Sequence, residues 1–392
     1  MPRPATQALF VNGGILGLRT FARFVDDAFV RRPGDIEASQ TILSDGLTTG
    51  DRVIRRLLCT RLWNDRWGGI KNLDLQRWRA ELNAGLLARR RIRELESDGR
   101  RFDVLHFHRQ ATAYASVARM RVTPSIVSMD CTQRPLLGAA KSELERRTYG
   151  PNVRRDGEIF RAAKLIVCTS QWAADSVRAE YPDCTTEIAV MPDPVLLDLF
   201  EASWAEVRRA RWTAQPTVKP RVLFMGGDFP RKGGLDLLDA WRRGRLWERA
   251  TLDVVTGWPI PADRLSPGIT VHADVAAHSD RWRTLWRDAD LFVLPTRDEA
   301  FGLVFQEAAA AGLPAIGTRI NAIPELVHHD ETGLMVPPTD ADALVAAANR
   351  LIDSEALRHA MGIAARSLVE RAADPGRYRD ALSAAILRLS GR

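Results

Sequence analysis

Short apolar runs alternate with longer amphipathic stretches along most of the chain. Ten of these runs have the length of a strand: 8–13, 103–108, 125–130, 164–170, 187–192, 221–227, 252–257, 291–296, 314–318 and 333–338. Continuous apolar runs are typical of parallel strands that are buried on both faces. Helical patterns such as 235–244, 305–312 and 340–352 lie between them. This alternation predicts an α/β fold with two doubly wound, Rossmann-like parallel-sheet domains.

The boundary between the two domains is expected within 192–220, where prolines and polar residues interrupt the alternation. We therefore predict a first domain over 1–195, a second over 196–375 and a final helix over 376–392. The pattern does not say which domain the final helix packs against. A chain of 392 residues is long enough for two domains of about 100–200 residues each.

Residues 35–100 depart from this alternation and are predicted to be helical, with leucine and tryptophan on one side and many arginines on the other. One interpretation is an ordinary solvated helix face. The alternative is a basic amphipathic surface within 53–101 that makes a peripheral contact with an anionic membrane.

Charge and cysteine content narrow the function classes only slightly. The formal net charge is +7 and the pI is about 9.6, which suits a phosphorylated ligand, an anionic membrane or a nucleic acid alike. No nucleic-acid-binding motif accompanies the charge, so nucleic acid is not expected as a partner. The four cysteines form no CxxC pair, and neither zinc nor disulfides are expected. Because we find no signal-peptide pattern and no apolar stretch of about 18 residues, we expect a cytoplasmic protein.

The segment EAFGLVFQEAAAAGLPAIGT, residues 299–318, carries the strongest chemical pattern. Glu299 is placed at the carboxyl end of a strand, where open α/β sheets bind ligands, and Leu303 begins a helix. The start of that helix suits a phosphate, whereas carboxylates suit sugar hydroxyls. Two glutamates eight positions apart also occur on ordinary helices. The apolar neighbours of Glu307 make that alternative less favourable, because an unpaired charge in such a setting is costly.

A second loop, which separates the apolar run 221–227 from a helix starting near Gly234, carries Arg231 and Lys232. Two cations beside a helix N-terminus suit a diphosphate, since they offset the roughly two negative charges that build on a nucleoside diphosphate as it leaves. The alternative is a turn with solvated basic residues. The presence of the 299–318 segment in the same predicted domain favours the diphosphate site.

These segments together resemble the retaining glycosyltransferases of family 4, or group 1, whose fold is called GT-B. The resemblance covers the whole predicted second domain, at 221–234, 291–318 and 320–338, and is visible in the first domain at 102–108 and 163–182. It implies two Rossmann-like domains that face each other across a cleft. It also implies transfer of a hexose-type sugar, with retention of configuration, from a UDP- or GDP-sugar to a glycan, lipid-linked or small-molecule acceptor, as in polysaccharide biosynthesis.

The resemblance further implies roles for matching residues on the 299–318 segment. Glu299, the first glutamate of the family's E-x7-E motif, would contact the donor sugar, and Glu307 would hold the ribose. The backbone of Phe301, Gly302 and Leu303 would meet the sugar and the diphosphate.

On the other loop, Lys232 matches the lysine that neutralises the donor phosphates. The family usually has an arginine one residue after the first glycine of this loop, where this chain has Gly227. We hypothesise that Arg231 supplies the missing charge from the other side of the loop.

Candidate residues of the first domain come from the ends of its predicted strands. Gly13 and Gly14 resemble the family's glycine loop after the first strand, where a backbone without side chains approaches the donor phosphates, although a plain tight turn is the alternative. His108 matches a histidine that hydrogen-bonds the donor sugar, and His106 is interpreted as a core residue. Asp130 either binds an acceptor hydroxyl or caps a turn.

No cofactor and no essential metal are expected. The pattern Asp288–Ala289–Asp290 resembles a metal-binding DxD motif, but it lies between a helix and a buried strand, which suits a cap and turn instead. The function predicted from the sequence is that of a metal-independent, retaining glycosyltransferase. The alternatives are a non-catalytic GT-B module that binds a glycan or nucleotide, and another GT-B enzyme such as a sugar-nucleotide epimerase.

Overall fold

The computed structural model describes residues 4–14, 17–32, 34–62, 72–214 and 218–391. The chain divides into two compact units. The first comprises Met1–Pro194 together with Gly376–Arg392, and the second comprises Val195–Pro375. The C-terminal helix therefore belongs to the first unit, although it follows the second in sequence.

The first unit is built on a six-stranded sheet with helices between the strands. Its strands are β1 (Thr6–Asn12), β2 (Ile36–Ile42), β3 (Val104–His108), β4 (Ser125–Met129), β5 (Leu165–Cys168) and β6 (Glu187–Val190). Its helices are α1 (Gly17–Val25), α2 (Thr49–Cys59), α3 (Gln76–Ser97), α4 (Val117–Met120), α5 (Arg134–Ala139), α6 (Glu143–Thr148), α7 (Gly150–Ala162) and α8 (Gln171–Glu180). The turn Asp26–Val30 continues α1 as a π-helix.

The second unit repeats this construction. Its strands are β7 (Arg221–Met225), β8 (Thr251–Val255), β9 (Ile269–His272), β10 (Leu291–Leu294), β11 (Ala315–Thr318) and β12 (Gly333–Val336). Its helices are α9 (Trp204–Ala214), α10 (Gly234–Arg243), α11 (Asp280–Asp288), α12 (Leu303–Ala310), α13 (Ile323–Leu326), α14 (Ala341–Ile352) and α15 (Glu355–Ala372). The last helix of the chain, α16, spans Pro375–Leu389.

All strand pairs are parallel, and the strand order reverses once in each sheet. The orders are β2-β1-β3-β4-β5-β6 and β12-β11-β10-β7-β8-β9. The chain leaves the centre of each sheet in one direction and later returns to build the other side. Ligands of such sheets bind outside the carboxyl ends of the two strands where the order reverses, which here are β1 and β3 in one unit and β7 and β10 in the other.

The predicted α/β class with two parallel sheets is confirmed, and each of the ten predicted runs contains a strand. Two strands were not predicted. The helical prediction for residues 35–100 is wrong at Ile36–Ile42, which forms β2, whereas α2 and α3 are helical and residues 63–71 lie outside the described residues. Both β2 and β9 are edge strands that remain half-exposed, so neither needs the continuous apolar run that marks a central strand.

The helix that carries Glu307 is fixed at both ends by the core of the second unit. Its sequence LVFQEAAA consists largely of good helix formers. Phe305 is buried and packs edge-on against Phe292 of β10, with ring centroids 5.7 Å apart. At the C-terminus, the buried Arg208 donates to the carbonyls of Ala311 and Gly312 at 2.7 and 2.8 Å, which satisfies groups that a helix end leaves open.

Among the described residues, no helix combines the length and the apolar character needed to cross a bilayer.

Candidate active site

Two loops of the second unit meet at the point where its strand order reverses. β7 and β10 are direct neighbours in the sheet, with Leu291 beside Val222 and Phe292 beside Leu223. The loop after β7 carries the two cations singled out from the sequence, and the loop after β10 carries Glu299. Because the strands are parallel, both loops leave from the same edge of the sheet.

The centre of this site is an ion pair between Lys232 and Glu299. The Lys232 Nζ donates to Oε2 of Glu299, and the two side chains are 15% and 14% exposed. Burial, followed by the neighbouring charge of Arg231, lowers the pKa of Lys232 to about 8. The pair therefore holds a cation and an anion close to the surface, where the two loops meet.

Arg231 adds a second cation beside this pair. Its Nε donates to Oδ2 of Asp228 at 3.0 Å and its Nη1 to the carbonyl of Asp298 at 2.6 Å. The same Nη1 lies 3.9 Å from Oε2 of Glu299. At Gly227 a Cβ would meet no atom within 4 Å, so this position, where the family resemblance leads us to expect an arginine, is open and exposed. That Arg231 replaces this arginine stays a prediction.

The N-terminus of α12 lies beside this ion pair, since a Cβ on Gly302 would lie 3.2 Å from Cγ of Glu299. Gly302 has a φ of +88°, a left-handed conformation that favours glycine, and it precedes Leu303 without a side-chain cap. Phe301 is buried beneath the loop. A helix start with no side-chain cap has backbone N–H groups available for an anion.

Glu307 lies on α12, one turn beyond the helix start, and is partly buried. Burial raises its pKa to about 8, and the positive charge of Lys232 opposes this rise. Lys232 therefore lies near enough to influence both glutamates of the motif. The structure brings together Lys232, Glu299, Glu307 and the start of α12, which were predicted from two separate segments.

Several residues that hold this site in shape were missed in the sequence. Asn321 donates through Nδ2 to the carbonyl of Glu299 at 2.9 Å. Arg297 clasps Asp236 of α10 with two hydrogen bonds of 2.7 and 2.5 Å, and so ties the two loops to each other. Gly233 has a φ of +75°, and a Cβ there would lie 1.9 Å from the Pro295 carbonyl. Gly233 belongs to a glycine pair that indicates a turn in the sequence. The contacts of Asn321 and Arg297 have no such signal, because they join residues far apart in sequence.

In the first unit, the loop after β1 carries Gly13 and Gly14. Gly14 has a φ of +78°, and a Cβ there would lie 2.2 Å from Oγ of Ser44 and 2.6 Å from Cγ2 of Ile42. Backbone conformation and packing against the end of β2 thus explain this glycine without a ligand. Residues 15 and 16, the next part of the glycine loop, lie outside the described residues.

The two histidines of β3 lie on the same face of the sheet, because residues two apart on a strand point the same way. His106 is buried, its Nε2 lies 2.7 Å from Oγ of Ser128, and burial lowers its pKa to about 3. These features fit the core role predicted for it. His108 is also only 1% exposed, and its ring stacks on Phe21 with centroids 3.8 Å apart.

Asp130 follows β4 and is paired with a residue that the sequence did not single out. The Arg109 Nη1 lies 2.6 Å from Oδ1 of Asp130, and Nη2 lies 3.9 Å from Oδ2 of Asp193. Arg109 directly follows His108, so the exits of β3 and β4 are joined by a charged side chain. Asp130 remains partly exposed.

Asp288 and Asp290, whose spacing resembles a metal-binding DxD motif, both pair with arginines of the second unit. Asp290 is buried and accepts hydrogen bonds from the Arg211 side chain and from the backbone N–H of Arg221. Asp288 ends α11 and pairs with Arg221 and Arg287. In the part of the chain that the structure describes, no group of three or more His, Cys, Asp or Glu side chains is arranged to hold a metal ion.

Comparisons with known proteins agree with this architecture. Residues 219–354 match the family model described as Glycosyl transferases group 1. The chain is 30% identical over 295 residues to a D-inositol 3-phosphate glycosyltransferase of Arthrobacter sp. (strain FB24), which covers 70% of this chain and 68% of the relative. It is 28% identical over 221 residues to the MMP alpha-(1->4)-mannosyltransferase of Mycolicibacterium hassiacum, which covers 55% and 51%.

Among solved structures, sucrose-phosphate synthase from Thermosynechococcus elongatus aligns with a TM-score of 0.72 at 18% identity, over 98% of this chain and 99% of that one. At this identity the likeness describes the fold, which is GT-B. The matched part spans between 11% and 68% of the length of the first curated relatives.

Proposed function

This chain belongs to the group 1 glycosyltransferases, and on that basis we propose that it transfers a hexose-type sugar from a UDP- or GDP-sugar to an acceptor. The observation that carries the proposal is the meeting of Lys232, Glu299, Glu307 and the uncapped start of α12 at the reversal point of the second sheet. Cations and a helix N-terminus suit a diphosphate, and carboxylates suit sugar and ribose hydroxyls.

In this proposal Lys232, with Arg231 beside it, binds the diphosphate and stabilises the charge that develops as it leaves. Gly302 and Leu303 present backbone N–H groups to the donor, Glu299 contacts the sugar and Glu307 the ribose. We further propose that the enzyme is of family 4, that it retains the anomeric configuration and that it needs no metal. The acceptor would be a glycan, a lipid-linked sugar or a small molecule.

The experiment that tests the proposal is a donor screen on the full chain. UDP-, GDP- and ADP-sugars are each incubated with the protein, in EDTA and in Mg²⁺, and nucleoside diphosphate release and thermal shift are measured. We expect a response to one nucleotide class that is equal in EDTA and Mg²⁺ and is lost in Glu307→Ala. Glu248→Ala, an exposed glutamate before β8 in the same unit, is the matched control and should respond as the wild type does.

Each alternative gives a different result in the same screen. A thermal shift without nucleotide release would favour a non-catalytic binding module, and conversion of the donor sugar without transfer would favour an epimerase. No response to any donor, with folded protein, would overturn the proposal. Retention is tested separately by the anomeric configuration of the product in an NMR spectrum.

We also propose a peripheral contact with an anionic membrane, on the cytoplasmic face. α2 and the residues after it expose Val53, Ile54, Leu57 and Leu62, at 53%, 49%, 67% and 71%. The same segment exposes four arginines, which are Arg52, Arg55, Arg56 and Arg61. Exposed apolar side chains flanked by arginines suit the boundary between anionic headgroups and acyl chains. The described residues of this segment thus favour a membrane surface over an ordinary solvated helix.

Liposome flotation tests this second proposal. The protein should float with vesicles of phosphatidylcholine and phosphatidylglycerol and not with phosphatidylcholine alone. Reversing the charge of Arg55 and Arg56 to glutamate should abolish flotation, whereas reversing the exposed pair Arg146 and Arg147 on α6 of the same unit should not. Flotation that is independent of anionic lipid, or equal loss in both double variants, would rule the contact out.

A further inference from the structure

A cluster of polar side chains is buried at the carboxyl edge of the first sheet. It consists of His108 at the end of β3, Arg109 after it, Asp193 after β6, and Tyr378 on α16. The Nε2 of His108 lies 3.7 Å from Oδ1 of Asp193, and Nη2 of Arg109 lies 3.9 Å from Oδ2 of the same carboxylate. Tyr378 packs on Phe21, the ring that also stacks on His108. The exit of β3 and the connection after β6, which are far apart in sequence, thus meet at one carboxylate.

The carboxylate of Asp193 is only 2% exposed, and neither of its oxygens has a hydrogen-bond partner within normal distance among the described residues. Burial opposes its ionisation, but His108 and Arg109 together hold the pKa of Asp193 below its usual range. A buried anion is costly unless nearby groups compensate it. Here His108 and Arg109 face the carboxylate at 3.7 and 3.9 Å, which is longer than a normal hydrogen bond, so they compensate the charge through electrostatic attraction.

Arg109 is held in an unusual backbone conformation beside this anion. Its φ of 79° and ψ of 137° lie outside the regions that side-chain-bearing residues normally adopt. Its backbone N–H still donates to the Ser128 carbonyl at 2.8 Å, so the strand exit is anchored to β4. In this position the guanidinium lies between Asp193 and Asp130. Such strain persists where the surrounding structure enforces it, and it clusters at functional sites.

We propose that Asp193 is a positioning residue, which fixes the His108 ring at the exit of β3 and shares Arg109 with Asp130. With Nε2 facing the carboxylate, the ring proton is kept on Nε2, and Nδ1 is left as the hydrogen-bond acceptor. Because Arg109 lies between Asp193 and Asp130, Asp193 also influences the position of the guanidinium that pairs with Asp130, the other candidate residue of this edge. The expected effect of Asp193 on catalysis rests on the proposed function, whereas its expected effect on the His108 ring is independent of that function.

The charges that face His108 predict opposite effects for two variants. Asp193 and Asp130 favour its protonated form, whereas burial and Arg109 disfavour it, with a net pKa below the usual range. The ring of His106 lies 6.3 Å from that of His108, and Tyr378 is a further titratable side chain on which the charge of Asp193 acts. Removing the charge of Asp193 should therefore lower the pKa of His108 further, and removing the charge of Arg109 should raise it.

The test is an NMR titration of histidine ring signals in the full chain labelled at its histidines, with His108→Gln to assign the signal. We expect the His108 titration to move to lower pH in Asp193→Asn and to higher pH in Arg109→Gln, and the ring in the wild type to carry its proton on Nε2. Asp183→Asn, which removes an exposed carboxylate from the same unit, is the matched control and should leave the titration in place. No shift, or shifts in the same direction in both variants, would overturn the proposal.

Kinetics separate this inference from the proposed function. With the donor found in the screen, Asp193→Asn should lower kcat about 10-fold or more while the KM for the donor changes less than about threefold. The KM should change little because Lys232 and Arg231, the cations proposed to bind the donor diphosphate, are left intact. A normal kcat in a variant whose His108 signal has shifted would also overturn the positioning role. If no donor reacts with the wild type, the NMR shifts still decide the effect of Asp193 on His108.

Discussion

Both sheets carry polar residues at the carboxyl ends of the strands where the strand order reverses, but the two groups of residues differ in burial. At the second sheet, Lys232 and Glu299 remain partly exposed, and the loop after β7 is open at Gly227. At the first sheet, His108 and Asp193 are almost completely buried, and the ring of Phe21 stacks on His108. One edge thus keeps its charged side chains accessible, as the proposed donor site requires, whereas at the other edge buried charges face one another.

The burial of the polar residues at the first sheet should have its largest effect on the free energy of unfolding at acidic pH. The pKa of His106 is lowered from 6.5 to about 3, so the folded state resists a proton that the unfolded state accepts, and this contribution to stability is lost as the pH falls from 6.5 toward 3. His106→Gln should remove that loss. The difference between the free energies of unfolding of the variant and the wild type should therefore change by about 1.4 kcal/mol per pH unit across this range.

Urea denaturation at pH 7, 6, 5 and 4 measures this difference. Burial raises the pKa of Asp156 to about 8, so this residue makes both proteins more stable as the pH falls. Its contribution cancels when the free energy of unfolding of one protein is subtracted from that of the other. A difference that does not vary with pH would show that His106 is protonated in the folded state and would break the contrast between a buried and an open edge.

At the second sheet, the largest expected effect concerns affinity. Lys232→Met removes a charge-assisted contact with the donor diphosphate and leaves Glu299 unpaired, so nucleoside diphosphate binding should weaken by about 1.5–3 kcal/mol, or roughly 10- to 150-fold. Isothermal titration calorimetry with UDP and GDP measures it. Lys219→Met, which alters an exposed lysine before β7, at the opposite end of the sheet, should bind as the wild type does.

The glycines of the loop after β7 provide a stability test of the same edge. Gly233→Ala places a Cβ 1.9 Å from a backbone oxygen at a φ of +75°, and should lower the free energy of unfolding by about 1–3 kcal/mol. Gly227→Ala, six residues earlier in the same loop, meets no atom within 4 Å and should change it by less than about 0.5 kcal/mol. Chemical denaturation of the two variants compares them, and equal losses would contradict the described loop geometry.

The smallest expected effect concerns the positive charge that the family resemblance leads us to expect at the Gly227 position. If Arg231 already supplies that charge, Gly227→Arg should raise the affinity for UDP or GDP by no more than about threefold, and Arg231→Gln should lower it by more than that. In the double variant, the new arginine should recover part of the loss. A large gain in Gly227→Arg with no effect of Arg231→Gln would show that Arg231 does not act as the substitute.

Local patterns were sufficient to predict most strands and the loop segments of the second unit. The apolar runs that became β7 and β10, followed by the Arg231–Lys232 and Glu299 loops, could be placed because each motif is contiguous in sequence. The edge strands β2 and β9 could not, since both are partly exposed and neither contains a continuous apolar run. The contact of Arg297 with Asp236 likewise joins side chains 61 residues apart and has no local signal.

The sequence by itself determined the α/β class, the two parallel sheets and the residue types at the carboxyl ends of their strands, because hydrophobic period and turn chemistry are local properties. Only the tertiary structure decided that His108 and Arg109 face Asp193, and that α16 returns to the first unit. The physical reason is that burial and charge compensation depend on which distant elements pack together. A carboxylate that looks like part of a proline-bearing connection in the sequence becomes a buried anion only when strand exits and a returning helix enclose it.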